Sequence, residues 1–235
     1  EDVEVKRNRH YVSRIPDVAL TVAILVLAGI VVKTRLISAT PPLPATRFVQ
    51  DSALTPLRSH SMGSASALVT VSVFSDYQCP YCANMQKRLD ALFAGSSGSI
   101  RIVHRHFPLS SIHDEAFEAS VLSECAAAQG EETFWRVHRS LLRRPALIRG
   151  REWGRVLSAA MVVDTVSVLA CLGSHGPQDA LVVRDTLLAS RLAISSTPTI
   201  LIDNELLHAA HLPDFESRVE KAVVRRGGSP FAVAK

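Results

Sequence analysis

The sequence has little of what marks several large classes of protein. Only 6% of its 235 residues are aromatic and 20% are charged, and the net charge is a modest +4. No basic stripe with interleaved aromatic residues is present, which argues against a nucleic-acid partner. With 47% hydrophobic residues, the chain is neither disordered nor a multi-span membrane protein. No internal repeat is visible, so the length indicates one sizeable domain with additional segments.

Cysteine is also scarce. Of the four cysteines, only Cys79 and Cys82 lie close together in the sequence. A structural zinc site usually needs four Cys or His ligands, often as two closely spaced pairs. No second pair is present, and His104 and His106, only two residues apart on a predicted strand, fit structural hydrogen bonding better than a metal site. The pattern favours redox chemistry over zinc, and no metal is expected.

The close pair of cysteines joins two predicted elements. The β-branched run from Ala67 to Phe74 predicts a buried strand, and Pro80 to Phe93 has the pattern of an amphipathic helix. Proline suits the first helical turn, where its missing N–H would have no intrahelical partner. The Cys79 thiol then lies at the positive end of the helix, where the macrodipole and unpaired N–H groups favour a thiolate. Because Cys82 lies one turn on, the pattern predicts a thiol–disulfide oxidoreductase site.

The first forty residues are predicted to be a targeting or anchoring segment. Basic residues precede an uncharged run from Val18 to Val32, and Lys33 and Arg35 follow it. The run is short for a full span of about 20 residues and long for the core of a signal peptide. Because it is apolar on every face, a single-pass anchor in the cell membrane is favoured over a buried soluble helix, with the later residues on the extracytoplasmic side. Cleavage near Ala39, which would give an exported protein, is the alternative.

Composition and periodicity divide the chain into four parts. Residues 1–39 are the basic flank and membrane anchor or signal segment, and residues 40–66 are a linker rich in Pro and Ser. Residues 67–227 form the folded domain, with a helical insertion over about 111–192, and residues 228–235 are a tail. The order of elements predicts an α/β thioredoxin fold with an inserted all-helical subdomain, preceded by an N-terminal membrane segment. The predicted strands are Ala67–Phe74, Ile100–Phe107, Thr199–Ile202 and Glu205–Ala209, and the predicted helices are Pro80–Phe93, Asp114–Gln129, Glu131–Leu142, Glu152–Ala160, Thr165–Leu172, Gln178–Leu192 and Pro213–Val224.

Several short motifs occur along the folded part. They are Phe-Ser-Asp-Tyr-Gln-Cys-Pro-Tyr-Cys at 74–82, Arg-His-Phe-Pro-Leu at 105–109, His113 with its Ala-rich helix, Phe134-Trp135 with His138, and Ser-Thr-Pro-Thr at 196–199. In this combination the chain resembles the DsbA-like branch of the thioredoxin superfamily, the bacterial extracytoplasmic disulfide oxidoreductases, and particularly their membrane-tethered forms. Cys-Pro-Tyr-Cys alone also occurs in glutaredoxins. The resemblance therefore depends on that motif together with the insertion and the late Thr-Pro.

The resemblance implies roles for individual residues. Cys79 is the expected exposed nucleophile and Cys82 the buried resolving thiol. Pro198 matches the family's cis-proline, which lies against the active-site disulfide. The backbone of Thr197 is then free to pair with an extended substrate, and Pro80-Tyr81 is expected to contact substrate. Without the resemblance, a trans proline at the start of an edge strand would be the default for Pro198.

Two further features have more than one interpretation. Asp76, three residues before Cys79, either relays a proton for Cys82 or caps the following helix, and capping is favoured. Some relatives in the resembled branch carry a second disulfide in the helical insertion, which implies a bridge between Cys125 and Cys171. Two buried free thiols are the alternative.

Together these features predict an extracytoplasmic enzyme, a protein thiol–disulfide oxidoreductase that introduces disulfides into exported proteins and needs no cofactor. Its expected partners are exported protein thiols and a quinone-linked membrane oxidase that reoxidises Cys79 and Cys82. Many DsbA proteins carry His between the cysteines, and the neutral Tyr81 is expected to depress the pKa of Cys79 less. The direction of electron flow is not fixed by sequence. The alternatives are a thiol reductase or isomerase of the same fold, and a non-catalytic redox-sensing module.

Overall fold

The chain divides into two units, residues 1–43 and residues 44–235. The computed structural model describes residues 15–37, 47–49, 59–207 and 209–231. In the first unit these residues form one helix, α1 (Ile15–Ile37). All other described elements belong to the second unit, which carries the candidate site.

A mixed sheet is the base of the second unit. In the described residues it has six strands, in the spatial order β1-β6-β5-β3-β4-β2. The central strands β3 and β4 run parallel, whereas all the other neighbouring strands are antiparallel. The strands are β1 (Arg47–Phe48), β2 (Ser61–Met62), β3 (Val69–Ser75), β4 (Ile100–His106), β5 (Thr199–Ile202) and β6 (Glu205–Leu206).

Helices connect the strands and form the insertion. The parallel pair β3 and β4 is joined by α2 (Pro80–Gly95), as a parallel connection requires. Between β4 and β5 the chain forms six helices, and after β6 it forms a 3₁₀ helix, Ala209–Asp214, and a final helix. These helices are α3 (Ala116–Ala127), α4 (Glu131–Arg143), α5 (Pro145–Arg149), α6 (Trp153–Ala159), α7 (Thr165–Gly173), α8 (Pro177–Arg191) and α9 (Phe215–Arg225).

Three apolar clusters hold these layers together. On one face of the sheet, Val71 and Val73 pack with Leu89 of α2 and Phe215 of α9. On the other face, buried residues of β3 and β5 pack with α8. A third cluster fills the helical insertion and also includes Cys79, Cys82 and Tyr77. Burying a large apolar side chain contributes roughly 1.5–3 kcal/mol. The two thiols therefore belong to the core of the helical insertion.

The predicted elements of the folded domain recur with shifted ends. The strand predicted for Ala67–Phe74 is Val69–Ser75, and the helix predicted for Pro80–Phe93 extends to Gly95. The hairpin strand predicted for Glu205–Ala209 is shorter and ends at Leu206. The short helix α5 was not predicted.

The predicted linker, residues 40–66, contributes two strands to the sheet. Its described residues include β1, which pairs with β6, and β2, which pairs with β4. Each of these strands is two residues long. A two-residue strand is too short to show the alternation by which strands are identified in a sequence, which is why composition alone indicated a tether.

The predicted membrane segment is not supported by the described residues. None of the helices formed by those residues has both the length and the apolar character needed to cross a bilayer. The uncharged run from Val18 to Val32 lies within α1. At 1.5 Å per residue this run extends about 22 Å, which is shorter than a hydrocarbon core of about 30 Å.

Candidate active site

Cys79 lies at the junction between β3 and α2. The strand ends at Ser75 and the helix begins at Pro80, so Cys79 is the N-cap residue of the helix. Its backbone is extended, with φ −76° and ψ 118°. The Cys79 carbonyl accepts hydrogen bonds from the N–H groups of Cys82 and Ala83, at 3.1 and 3.3 Å. The Cys79 thiol therefore lies beside the unpaired N–H groups and the positive dipole of a helix N-terminus.

These surroundings favour the thiolate form of Cys79. Cys79 and Cys82 are both free thiols in the structure. A hydrogen bond from the Cys82 thiol is the main reason that the pKa of Cys79 falls to about 5, while burial opposes the change. Hydrogen bonds from Thr197 and from the backbone N–H groups of Cys82 and Tyr81 lower the pKa further. Because the thiolate is the nucleophilic form, Cys79 is ready to react at neutral pH.

Cys82 has the opposite character. Its side chain is buried, and burial is the main reason that the pKa of its thiol is raised, followed by its hydrogen bond to Cys79. The backbone N–H of Asp76 donates to the Cys82 sulfur at 3.5 Å, and this contact and the hydroxyl of Ser75 partly oppose the rise. Cys82 therefore remains protonated and acts as a hydrogen-bond donor to the Cys79 thiolate.

Thr197 and Pro198 complete the site from the other side. The peptide bond between them is cis, and Pro198 directly precedes β5. When Cys79 is a thiol it donates to the carbonyl of Thr197 at 3.4 Å. The Thr197 hydroxyl is buried and has no hydrogen-bond partner among the described residues. This hydroxyl is therefore available as a donor when Cys79 loses its proton.

Pro80 and Tyr81 are exposed beside the nucleophile. Tyr81 is 72% exposed, which is unusual for a large aromatic side chain in a folded domain. Its position in the first turn of α2 places it next to Cys79. The structure therefore leaves both predicted substrate-contact residues accessible to a bound polypeptide. The Cys79 side chain itself is buried, with 6% exposure, so the expectation of an exposed nucleophile is wrong for this structure.

Asp76 does not have the capping role that the sequence favoured, and its role as a proton relay for Cys82 stays a prediction. The N-cap residue is Cys79, and no side chain makes the capping hydrogen bond, so the capping interpretation is wrong. The Asp76 carboxylate accepts hydrogen bonds from the backbone N–H groups of Gln78 and Leu109, each at 2.7 Å, and from the His113 ring at 2.9 Å. The contact of Asp76 with Cys82 is made by its backbone N–H. Its side chain cross-links the active-site turn to the loop after β4.

The segment that carries this strand, the thiol at a helix N-terminus and the cis-proline matches a known protein family. A family model described as thioredoxin matches residues 56–221. The chain belongs to the thioredoxin family. The predicted α/β thioredoxin fold is therefore confirmed for the folded domain.

Solved structures of similar fold include two bacterial proteins. One is the thiol-disulfide exchange protein alpha-DsbA2 from Wolbachia pipientis, with a TM-score of 0.62 and 16% identity, which covers 71% of this chain and 88% of that chain. Another is oxidised BdbD from Bacillus subtilis, with a TM-score of 0.61 and 19% identity, which covers 77% and 100%. These similarities confirm the predicted fold.

Part of a curated antiporter is also similar in sequence to this thioredoxin-family chain. The chain is 29% identical over 156 residues to the Na(+)/H(+) antiporter NhaA 3 of Salinispora tropica. The match covers 66% of this chain and 23% of the antiporter. The chain therefore spans about a quarter of the length of this relative.

A disulfide joins two helices of the insertion in this thioredoxin-family domain. Cys125 of α3 is bonded to Cys171 of α7, and the two Cα atoms are 5.8 Å apart. The bond closes a sequence separation of 46 residues. Cys125 is buried in the insertion core that also contains Cys79 and Cys82. The cross-link therefore fixes one wall of the core that surrounds the active-site thiols.

A mostly buried network of polar side chains includes the hydrogen bonding predicted for His104 and His106, whereas its glutamate members were not predicted. His104 and His106 share a hydrogen bond of 3.2 Å, and His106 contacts Glu124 of α3 at 2.8 Å. Glu124 also bonds His60, which in turn bonds Glu131. Within the described residues, no group of three or more His, Cys, Asp or Glu side chains is arranged to hold a metal ion. This network of hydrogen bonds links β4 and His60, the residue before β2, to the insertion. These histidines therefore have a structural role.

Proposed function

We propose that the chain is an extracytoplasmic oxidoreductase that introduces disulfides into exported polypeptides through Cys79 and Cys82. The observation that carries the proposal is the opposite environment of the two thiols. The pKa of Cys79 is lowered to about 5, whereas burial raises that of Cys82. A stabilised thiolate favours the reduced enzyme over the oxidised one, and such an enzyme is an oxidant toward its substrates.

The proposed reaction uses both thiols in turn. A substrate thiolate attacks the Cys79 sulfur of the Cys79–Cys82 disulfide, and the electron pair of the broken bond passes to Cys82, which takes up a proton. A second substrate thiolate attacks the substrate sulfur of the mixed disulfide, and Cys79 leaves as a thiolate. The substrate loses two electrons and two protons, of which one proton stays on Cys82 and the other goes to solvent.

The substrate is proposed to dock against Thr197 and Tyr81. The Thr197 carbonyl lies 3.4 Å from the Cys79 sulfur, so an extended peptide that pairs with this backbone brings its cysteine to Cys79. Tyr81, 72% exposed, offers an apolar ring and a hydroxyl group beside the reacting sulfur. Backbone pairing does not depend on substrate side chains, which suits an enzyme that acts on many unfolded proteins.

The proposed compartment is outside the cytoplasm. A structural disulfide between Cys125 and Cys171 is typical of proteins that work where thiols are oxidised. Continued turnover needs an acceptor for two electrons, and we propose a quinone-linked membrane oxidase as the protein that reoxidises Cys79 and Cys82. Ion transport is not part of the proposal, because the chain matches 23% of the antiporter relative.

The alternatives use the same site. A reductase or isomerase would need Cys79 and Cys82 to be reduced in the cell, and a redox-sensing module would need no turnover. The lowered pKa of Cys79 favours the oxidase, because a stabilised thiolate favours the reduced enzyme and makes its disulfide a stronger oxidant.

The test is an oxidative refolding assay. We expect the oxidised protein to restore activity to a reduced, unfolded disulfide protein within minutes, and the Cys79→Ser variant to leave it inactive. Thiols lost by the substrate should equal those gained by the enzyme. If the oxidised protein does not oxidise the substrate while its reduced form rapidly reduces insulin, the assignment changes to a reductase.

A further inference from the structure

We infer that His113 is a positioning residue for thiol–disulfide exchange, acting through Asp76 on the resolving thiol Cys82. This inference rests on the proposed function, which it deepens. His113 lies in the loop between β4 and α3, 31 residues after Cys82 in the sequence. Its ring nevertheless contacts Asp76, which lies three residues before Cys79.

Asp76 contacts both cysteines through its backbone. Its N–H donates to the Cys82 sulfur at 3.5 Å, and its carbonyl accepts the N–H of Cys79 at 3.2 Å. A small change in the orientation of this one residue therefore alters the hydrogen bonding of the Cys82 thiol and the backbone position of Cys79. Whatever holds Asp76 in place controls the geometry of the pair.

The Asp76 side chain is held by three donors. The N–H of Gln78 binds one carboxylate oxygen at 2.7 Å, and the other oxygen accepts the N–H of Leu109 at 2.7 Å and the Nδ1 of His113 at 2.9 Å. Asp76 is fully buried. A buried carboxylate is costly unless its charge is paired and hydrogen-bonded. His113 is the one side-chain donor among the three.

His113 also connects the buried carboxylate to solvent. The His113 side chain is 20% exposed, whereas that of Asp76 is 0% exposed. The neighbouring Glu115 binds Gln78 and not the histidine: its carboxylate accepts a hydrogen bond from the Gln78 side-chain amide at 3.0 Å, and its backbone N–H donates to the Gln78 Oε1 at 2.9 Å. Loss of the His113 donor would leave the Asp76 charge less compensated beside the thiols. That uncompensated charge disfavours the Cys79 thiolate and so favours the disulfide form of the enzyme.

The experiment measures the equilibrium of the full protein with glutathione. For His113→Ala we expect the equilibrium constant for reduction of the Cys79–Cys82 disulfide to fall at least threefold. His113→Asn, which keeps a side-chain N–H near the position of Nδ1, should stay within twofold of the unsubstituted protein. His175→Asn is the matched control, because the side chain of His175 is 85% exposed in the turn before α8, and it should cause no change.

Each outcome of this experiment is decisive. If the alanine variant loses thermal stability but keeps the equilibrium constant, His113 is only structural and the inference is wrong. A shift that the asparagine variant fails to restore also contradicts the hydrogen-bond step. If the alanine variant does not fold, His113→Phe keeps the ring, lacks the donor, and must show the same threefold fall. If the unsubstituted protein does not exchange with glutathione, the proposed function fails instead.

Discussion

Replacing Cys82 with serine is expected to turn the protein into a covalent trap for its substrates. Cys79 would still attack a substrate disulfide, because its thiolate is stabilised by the helix N-terminus and by neighbouring backbone N–H groups. Serine cannot attack the resulting mixed disulfide, so that species should accumulate to a large fraction of the protein. Gel electrophoresis without reductant, followed by release with dithiothreitol, measures it.

The reciprocal variant, Cys79→Ser, provides the control. Cys82 is buried and burial raises its pKa, so it should neither trap substrates nor exchange with glutathione above the uncatalysed rate. The trapped sulfur in the Cys82→Ser protein should map to Cys79. Mixed disulfides that form through Cys82 in the Cys79→Ser protein would reverse the assigned roles.

Removal of the Cys125–Cys171 disulfide should give the largest loss of stability. In the chain-entropy model, a bond that closes a separation of 46 residues contributes up to about 4 kcal/mol to the free energy of unfolding. Replacing both cysteines with alanine should reduce the free energy of unfolding by an amount approaching this value. Urea unfolding monitored by circular dichroism measures the difference.

The comparison is cleanest when the active-site pair cannot change redox state. Both proteins should therefore carry Cys79→Ser and Cys82→Ser, so that only the second pair differs. A loss of stability below about 1 kcal/mol would show that this bond does not stabilise the domain in solution. A thiol count on the unsubstituted protein, unfolded without reductant, gives a second test. Four reactive thiols there would also contradict the prediction.

Local patterns were sufficient to predict the elements that present the thiols. The β-branched run before Ser75 indicates a buried strand, and Pro80 indicates where the next helix begins. Since both signals lie within a few residues of Cys79, the position of this thiol at a helix N-terminus could be predicted without tertiary information.

Contacts from distant segments could not be predicted in this way. The partners of the Asp76 carboxylate include Leu109 and His113, which are 33 and 37 residues away in the sequence. A local interpretation of Asp76 as a cap was reasonable for its residue type, but the loop after β4 provides two of its three donors. The hydrogen bonds of Glu124 with His60 and His106 likewise join three separate segments.

The pKa of the Cys79 thiol is the most direct test of the central claim, that the fold makes this residue a stabilised thiolate. The rate at which the reduced protein reacts with iodoacetamide should be measured from pH 3 to 9, with the Cys82→Ala variant as a comparison. Mass spectrometry should identify Cys79 as the modified residue. We expect the rate to rise with a midpoint at about pH 5 in the unsubstituted protein, and at a higher pH in the variant, which lacks the hydrogen bond from Cys82. A midpoint near the ordinary thiol value of about 8.5 in the unsubstituted protein would contradict the account.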